Sequence, residues 1–141
     1  MKFLAIIVTY NPDLERLTEN LKAICCQTDK AVIVDNGSED KSFLEKLSFV
    51  YNAAVISNEK NKGIAYALNQ GMKYAYENGY DIAIQFDGDG QHDVNYVPNI
   101  CEPILNGQAN IVIGTRYLDK SASKFQSTFM RRLGSRLISF V

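Results

Sequence analysis

The sequence predicts an α/β domain with a mostly parallel sheet and helices on both faces. Three features carry that expectation. Short apolar runs alternate along the chain with longer stretches of helical periodicity. Runs such as Phe3-Leu4-Ala5-Ile6-Ile7-Val8 have no polar side, which suits strands covered on both faces. Polar residues then gather just after those runs, at Thr9, Asp35, Asp87, Asp89 and Arg116, where open α/β sheets bind their ligands.

Residues 3–8 are the first strand. Asn11 and Pro12 suit the cap and first position of a helix, with Leu14, Leu17, Leu21 and Ile24 on one face. Residues 31–34 form a second buried strand ending at Asp35-Asn36-Gly37-Ser38, and a short helix follows with Phe43, Leu44 and Leu47 inward. Residues 53–56 are a third, shorter strand. Asn61-Lys62-Gly63 opens a helix lined by Ala65, Leu68, Met72 and Ala75, and Gly79 closes it. The fourth strand covers 81–86. From 96 to 106 the pattern is helical, with Pro98 suited to a first turn and Pro103 expected to kink it. Ile111-Val112-Ile113 reads as a fifth strand leading into Gly114-Thr115-Arg116, and 126–141 as a basic amphipathic helix.

A chain of 141 residues is expected to form one domain, 1–141, around one core. Its formal net charge of −1, with no Lys/Arg cluster before the last third, argues against nucleic acid as the main partner. Cys25, Cys26 and Cys101 fit neither a disulfide framework nor a zinc spacing, and read as core or helix-face thiols in a reducing cytoplasm. The first apolar run is too short for a signal peptide, and no stretch reaches transmembrane length.

The stretch that bears chemistry is Phe86-Asp87-Gly88-Asp89-Gly90-Gln91-His92-Asp93. Two carboxylates one residue apart at a strand end point the same way and repel unless one takes up a proton. A divalent cation removes the conflict, and hard oxygen ligands suit Mg2+ or Mn2+. Gly88 and Gly90 would leave room for a bulky anion such as a diphosphate to reach that ion. The competing reading is a solvated turn, for which Asp-Gly-Asp-Gly is equally good material. An EF-hand loop fails, because His92 and Pro98 stand where Gly and Glu belong. A haloacid-dehalogenase-type phosphatase resembles the loop more closely, although its acidic motif follows the first strand and Gln91 replaces its Thr. His92, the only histidine, is either a further ligand or a hydrogen-bonding residue.

Elsewhere the first strand-to-helix turn is Tyr10-Asn11-Pro12-Asp13, without the glycines of a dinucleotide site, and no P-loop is present. An ionised Asp35 could accept from the imide N–H of a uracil-type base, or could cap its own turn. Arg116 could offset diphosphate or acceptor charge, or form a surface ion pair.

Five blocks occur in order: Val8-Thr9-Tyr10-Asn11, Val34-Asp35-Asn36-Gly37-Ser38, Asn61-Lys62-Gly63 through Ala67-Leu68-Asn69-Gln70-Gly71, Asp87-Gly88-Asp89-Gly90-Gln91-His92, and Gly114-Thr115-Arg116-Tyr117. Together they resemble a family 2 glycosyltransferase with the Rossmann-like GT-A fold, over essentially the whole chain. The resemblance implies a metal-dependent inverting enzyme that uses a UDP-, GDP- or dTDP-sugar. The implied nucleotide-binding residues are Thr9, Tyr10, Asn11, Asp35, Asn61, Gly63, Asp87 and Gly88. Asp87, Asp89 and Gln91 would hold the metal, with Asp89 and Arg116 as the catalytic pair. Polyprenyl-phosphate sugar transferases grip the lipid phosphate at positions matched here by Arg116, Arg131 and Ser135. The Val-Thr-Tyr-Asn-Pro-Asp and Val-Asp-Asn-Gly-Ser blocks lean instead toward rhamnosyltransferase-like members, so the acceptor reads as a lipid phosphate or a glycan.

Relative to that family the chain is short, and no catalytic Asp or Glu well past the metal loop is reached. The expectation is therefore the donor-binding part of a longer transferase, inactive or weak alone, and truncated at its carboxyl end. A cytoplasmic location at the inner face of a membrane fits the basic tail, for which a solvated helix face is the alternative. A homodimer is compatible with the sequence, as is a module that binds a sugar nucleotide without turnover.

Overall fold

A computed structural model of the protein describes residues 1–89 and 92–114. Gln91, Arg116, Arg131, Ser135 and the helix expected at 126–141 lie outside the described residues. The chain divides into two compact units, Met1–Cys101 and Glu102–Val141, and the first carries the sheet. In order the elements are β1 (Phe3–Thr9), α1 (Leu14–Cys25), β2 (Lys30–Asp35), α2 (Ser42–Tyr51), β3 (Ala54–Ser57), α3 (Ile64–Glu77) and β4 (Ile82–Asp87). A 3-10 turn (Val94–Tyr96) and α4 (Val97–Leu105) follow.

All strand pairings are parallel, in the order β3-β2-β1-β4. The chain moves outward from β1 to β2 and β3, then returns past β1 to β4. Right-handed crossovers therefore put α1 and α2 on one face and α3 on the other. Leu4, Ile6, Val32 and Val34 cluster with Ala67 and Ala75 of α3. Ala5, Ile7, Ala31 and Ile33 are as fully buried, and the two-residue period turns them to the face of α1 and α2.

Several expectations are corrected. The stripe of α3 buried on the sheet is Ala67, Gly71 and Ala75, while Leu68 is half-buried and Ala65 and Met72 are exposed. Close approach decides this: a Cβ on Gly71 would lie 2.3 Å from Ile6 Cγ2, so the least bulky side of the helix meets β1. The α1 cap is Asp13 rather than Asn11, with its carboxylate accepting from the N–H groups of Glu15 (3.1 Å) and Arg16 (3.2 Å). Asn11 takes a left-handed φ of 45° and serves the loops instead. Residues 111–114, read as a fifth strand and its exit, join no ladder among the described residues, and Ile111 and Ile113 are exposed. An apolar triplet becomes a strand only where a neighbour takes its backbone hydrogen bonds.

Pro98 does fall in the first turn of α4, and the helix ends two residues after Pro103. All three thiols are free. Burial pushes Cys101 up from its ordinary pKa, and burial followed by the neighbouring Cys26 does the same to Cys25. Among the described residues no helix is long and apolar enough to cross a membrane.

Candidate functional site

The reversal of strand order makes the tips of β1 and β4 a switch point, where open sheets leave a crevice. The ladder brings the polar tips level: Val8 lies beside Asp87, Thr9 beside Asp35, and Asp35 beside Ser57. A cleft of about 400 Å3 opens there. Thr9, Tyr10, Asn11, Asn61, Asp87, Gly88 and Asp89 all line it, as do Asp13, Arg16, Asn36 and Ile64. Asp35 and Gly63 do not.

Thr9 is 4 % exposed, and its Oγ1 is buried with no hydrogen-bond partner among the described residues. A buried hydroxyl without a partner is costly, so the atom is suited to a ligand group entering the cleft. Tyr10 is half-exposed at the rim.

Asp35, expected to contact a base, is fully buried and turned onto its own loop. The Ser38 hydroxyl donates to Asp35 Oδ1, the Ser38 N–H reaches both carboxylate oxygens (3.4 and 3.3 Å), and the Ser57 hydroxyl donates to Oδ2 (3.4 Å). Lys41 Nζ lies 4.0 Å from Oδ2 and donates to the Asn58 carbonyl. The carboxylate thus organises the turn, which is the alternative the neighbouring Asn-Gly-Ser allowed. Ser38 also accepts from the Asn11 N–H (2.8 Å), and Asn11 Oδ1 accepts from the Glu39 N–H (2.9 Å), tying the loops after β1 and β2 together.

Amides continue the scaffold. Asn36 Nδ2 donates to Asn61 Oδ1 (3.1 Å), while Asn36 Oδ1 accepts from the Lys62 N–H (3.1 Å) and from Asn58 Nδ2 (3.4 Å). Asn58 and Gln70 exchange two further amide bonds, of 2.8 and 3.0 Å. Asn61 Oδ1 also accepts from the Gly63 N–H (2.9 Å), so Gly63 belongs to the frame behind the cleft. At Gly37 φ is +89°, and a Cβ would meet the Lys60 carbonyl carbon at 2.4 Å and the Asn61 nitrogen at 2.6 Å. Only glycine lets the two loops touch.

The acidic side is tied to α1 and to His92. Asn20 of α1, nearly buried, donates from Nδ2 to the Asp87 carbonyl (3.2 Å). The Asp87 N–H donates to His92 Nδ1 (3.2 Å), which leaves the ring N–H on Nε2, 3.6 Å from Asp87 Oδ2. His92 therefore acts as a hydrogen-bonding residue that folds the loop back on β4. Gly88 lines the cleft and also lies close against β1. A Cβ there would lie 3.1 Å from the Val8 carbonyl oxygen and 3.2 Å from Thr9 Cβ, so the missing side chain makes room for β1.

Asp87 and Asp89 both line this cleft. Among the described residues no three His, Cys, Asp or Glu side chains are grouped to hold an ion. A pair of carboxylates fits a magnesium-like cation, which takes one or two from protein and completes its shell with water and phosphate oxygens. An adjoining hollow of about 450 Å3 is lined by Arg16, Glu19, Asn20, Asp89, His92 and Asp93. Arg16, Asn20 and Asn58 were not legible as site residues in the sequence, because helix position and tertiary contact bring Arg16 to the cleft, Asn20 to the Asp87 carbonyl and Asn58 to the amide frame.

The family described as Glycosyl transferase family 2 matches residues 4–139. The UDP-N-acetylglucosamine–dolichyl-phosphate N-acetylglucosaminyltransferase of Methanococcus voltae is 32 % identical over 154 residues, covering 96 % of this chain and 60 % of that protein. The dolichol-phosphate mannosyltransferase of Pyrococcus furiosus is 35 % identical over 146 residues, covering 96 % and 39 %. This chain thus spans 39 to 60 % of the length of these two relatives. Among solved structures, glucosyl-3-phosphoglycerate synthase from Mycobacterium tuberculosis, in complex with Mn2+, UDP and glucosyl-3-phosphoglycerate, aligns with a TM-score of 0.55 at 20 % identity. The alignment covers 74 % of this chain and 39 % of that one, and bears on the fold alone.

Proposed function

The chain belongs to glycosyl transferase family 2, and from that premise we propose that residues 1–141 form the donor-binding domain of a metal-dependent, inverting sugar transferase. Its donor is a UDP-, GDP- or dTDP-sugar, and its acceptor a polyprenyl phosphate or a glycan. The observation that carries this reading is the meeting of Thr9, Tyr10 and Asn61 with Asp87 and Asp89 in one cleft at the switch point.

The Thr9 hydroxyl hydrogen-bonds the base, and Tyr10 offers its ring at the rim for stacking. Asp35 supports that subsite from behind. Asp87 and Asp89, with Gln91 as the third ligand the resemblance implies, hold Mg2+ or Mn2+. When bound, that cation acts as a Lewis acid and offsets charge on the departing diphosphate. The acceptor oxygen attacks the anomeric carbon opposite the leaving group, so its C–O bond forms as the bond to the diphosphate breaks. The names of the two archaeal relatives, both acting on dolichol phosphate, support a lipid-phosphate acceptor. A phosphate nucleophile is already ionised and asks little of a general base. Arg116, Arg131 and Ser135 are the residues proposed to grip it, at the cytoplasmic face of a membrane.

The phosphatase alternative has no support in the family match. The test is thermal unfolding with UDP, GDP and dTDP, with and without Mn2+. The wild type should gain stability from one of these nucleotides only when Mn2+ is present, and Asp89→Ala should lose the gain. Equal nucleotide binding with and without the metal would sink the reading.

A further inference from the structure

The geometry points to Arg16 as the side chain that grips the donor's diphosphate, an assignment that rests on the donor-binding reading above. Among the described residues that line the cleft, Arg16 is the one basic side chain, and Asp13, Asp87 and Asp89 line it too. A divalent cation offsets two of these carboxylates, and the charge of an arriving diphosphate then still needs a partner. Arg16 also lines the adjoining hollow with Asp89, so its side chain stands at the wall between the two spaces.

The residue is poised rather than committed. Its backbone N–H is held by the Asp13 carboxylate at 3.2 Å, which roots it in a capped first turn of α1. Its side chain has one ion pair, Nε to Asp13 Oδ2 at 3.9 Å, between groups that are 69 % and 61 % exposed. An exposed pair of that length is weak and gives way to a better partner. Among the described residues neither Nη donates a hydrogen bond, which leaves the planar fork suited to two phosphate oxygens. Asp13 keeps its capping role when the guanidinium turns away, so the exchange leaves the helix intact.

The test is calorimetric titration of the 141-residue chain with UDP, GDP and dTDP in Mn2+, beside the matching nucleosides. Arg16→Met should weaken binding of the preferred diphosphate by about tenfold, the scale of one charge-assisted contact, and leave nucleoside binding unchanged. Arg16→Lys should recover part of the loss, since it restores charge without the fork. The unfolding midpoint of ligand-free Arg16→Met should equal that of the wild type, separating lost contact from lost fold. If Arg16→Met binds the diphosphate as tightly as a binding-competent wild type, the Arg16 assignment is wrong and the donor-binding reading stands. If the wild type binds no nucleoside diphosphate, both fall together.

Discussion

On the β2 side of the cleft Asn36, Asn58, Asn61 and Gln70 satisfy one another's amides, whereas on the β4 side Asp87 and Asp89 stand on a loop held by Asn20 and His92. The difference is one of purpose. Buried amides are expensive to leave unpaired, so the first side is finished before any ligand arrives. Two nearby carboxylates repel each other, and a cation entering the cleft lowers that cost further. Stability should therefore be concentrated on one side and ligand response on the other.

The largest expected effect on that contrast is at Gly37. Gly37→Ala adds a Cβ at a positive φ and drives it into the backbone of Lys60 and Asn61. Backbone strain and overpacking together should cost about 3 kcal/mol in urea unfolding. A cost near zero would mean that the two loops are not locked against each other. Next is Asn36→Ala, which strips partners from Asn61, Asn58 and the Lys62 N–H. With Asn36 nearly buried, about 2 kcal/mol should be lost.

The sequence carried more of the fold than of this contrast. Continuous apolar runs such as those of β1 and β2 announce buried parallel strands, because no polar face competes with that reading. The acidic loop is equally legible, since like charges so close in sequence ask for an explanation. Asn58 is different: nothing local separates a buried amide that anchors Gln70 from an ordinary loop asparagine. Arg16 sits among ordinary surface residues of an amphipathic helix until the sheet order brings it to the cleft. Asn11 beside Pro12 resembled a helix cap, yet its left-handed backbone and its bond to the Glu39 N–H are products of the second loop. The run at 111–113 failed for a related reason, since apolar content cannot show whether a neighbouring strand is there to pair.

His92→Ala should show the smallest change in stability and is the sharpest test of the contrast. The Asp87 N–H loses its partner at His92 Nδ1, but the departing imidazole is itself 35 % exposed, so water can take its place. The folded state should lose only about 0.5 kcal/mol, as expected of a partly exposed substitution. The loop, however, would no longer be folded back on β4, and Mn2+-dependent nucleotide affinity should fall by about threefold to tenfold as Asp87 loses its fixed orientation. Paired measurements of urea unfolding and nucleotide titration on His92→Ala and Asn36→Ala should give opposite patterns. The amide variant loses stability first, and the imidazole variant loses ligand response first. Were His92→Ala to cost as much stability as Asn36→Ala, the acidic loop would be as fully prebuilt as the amide frame.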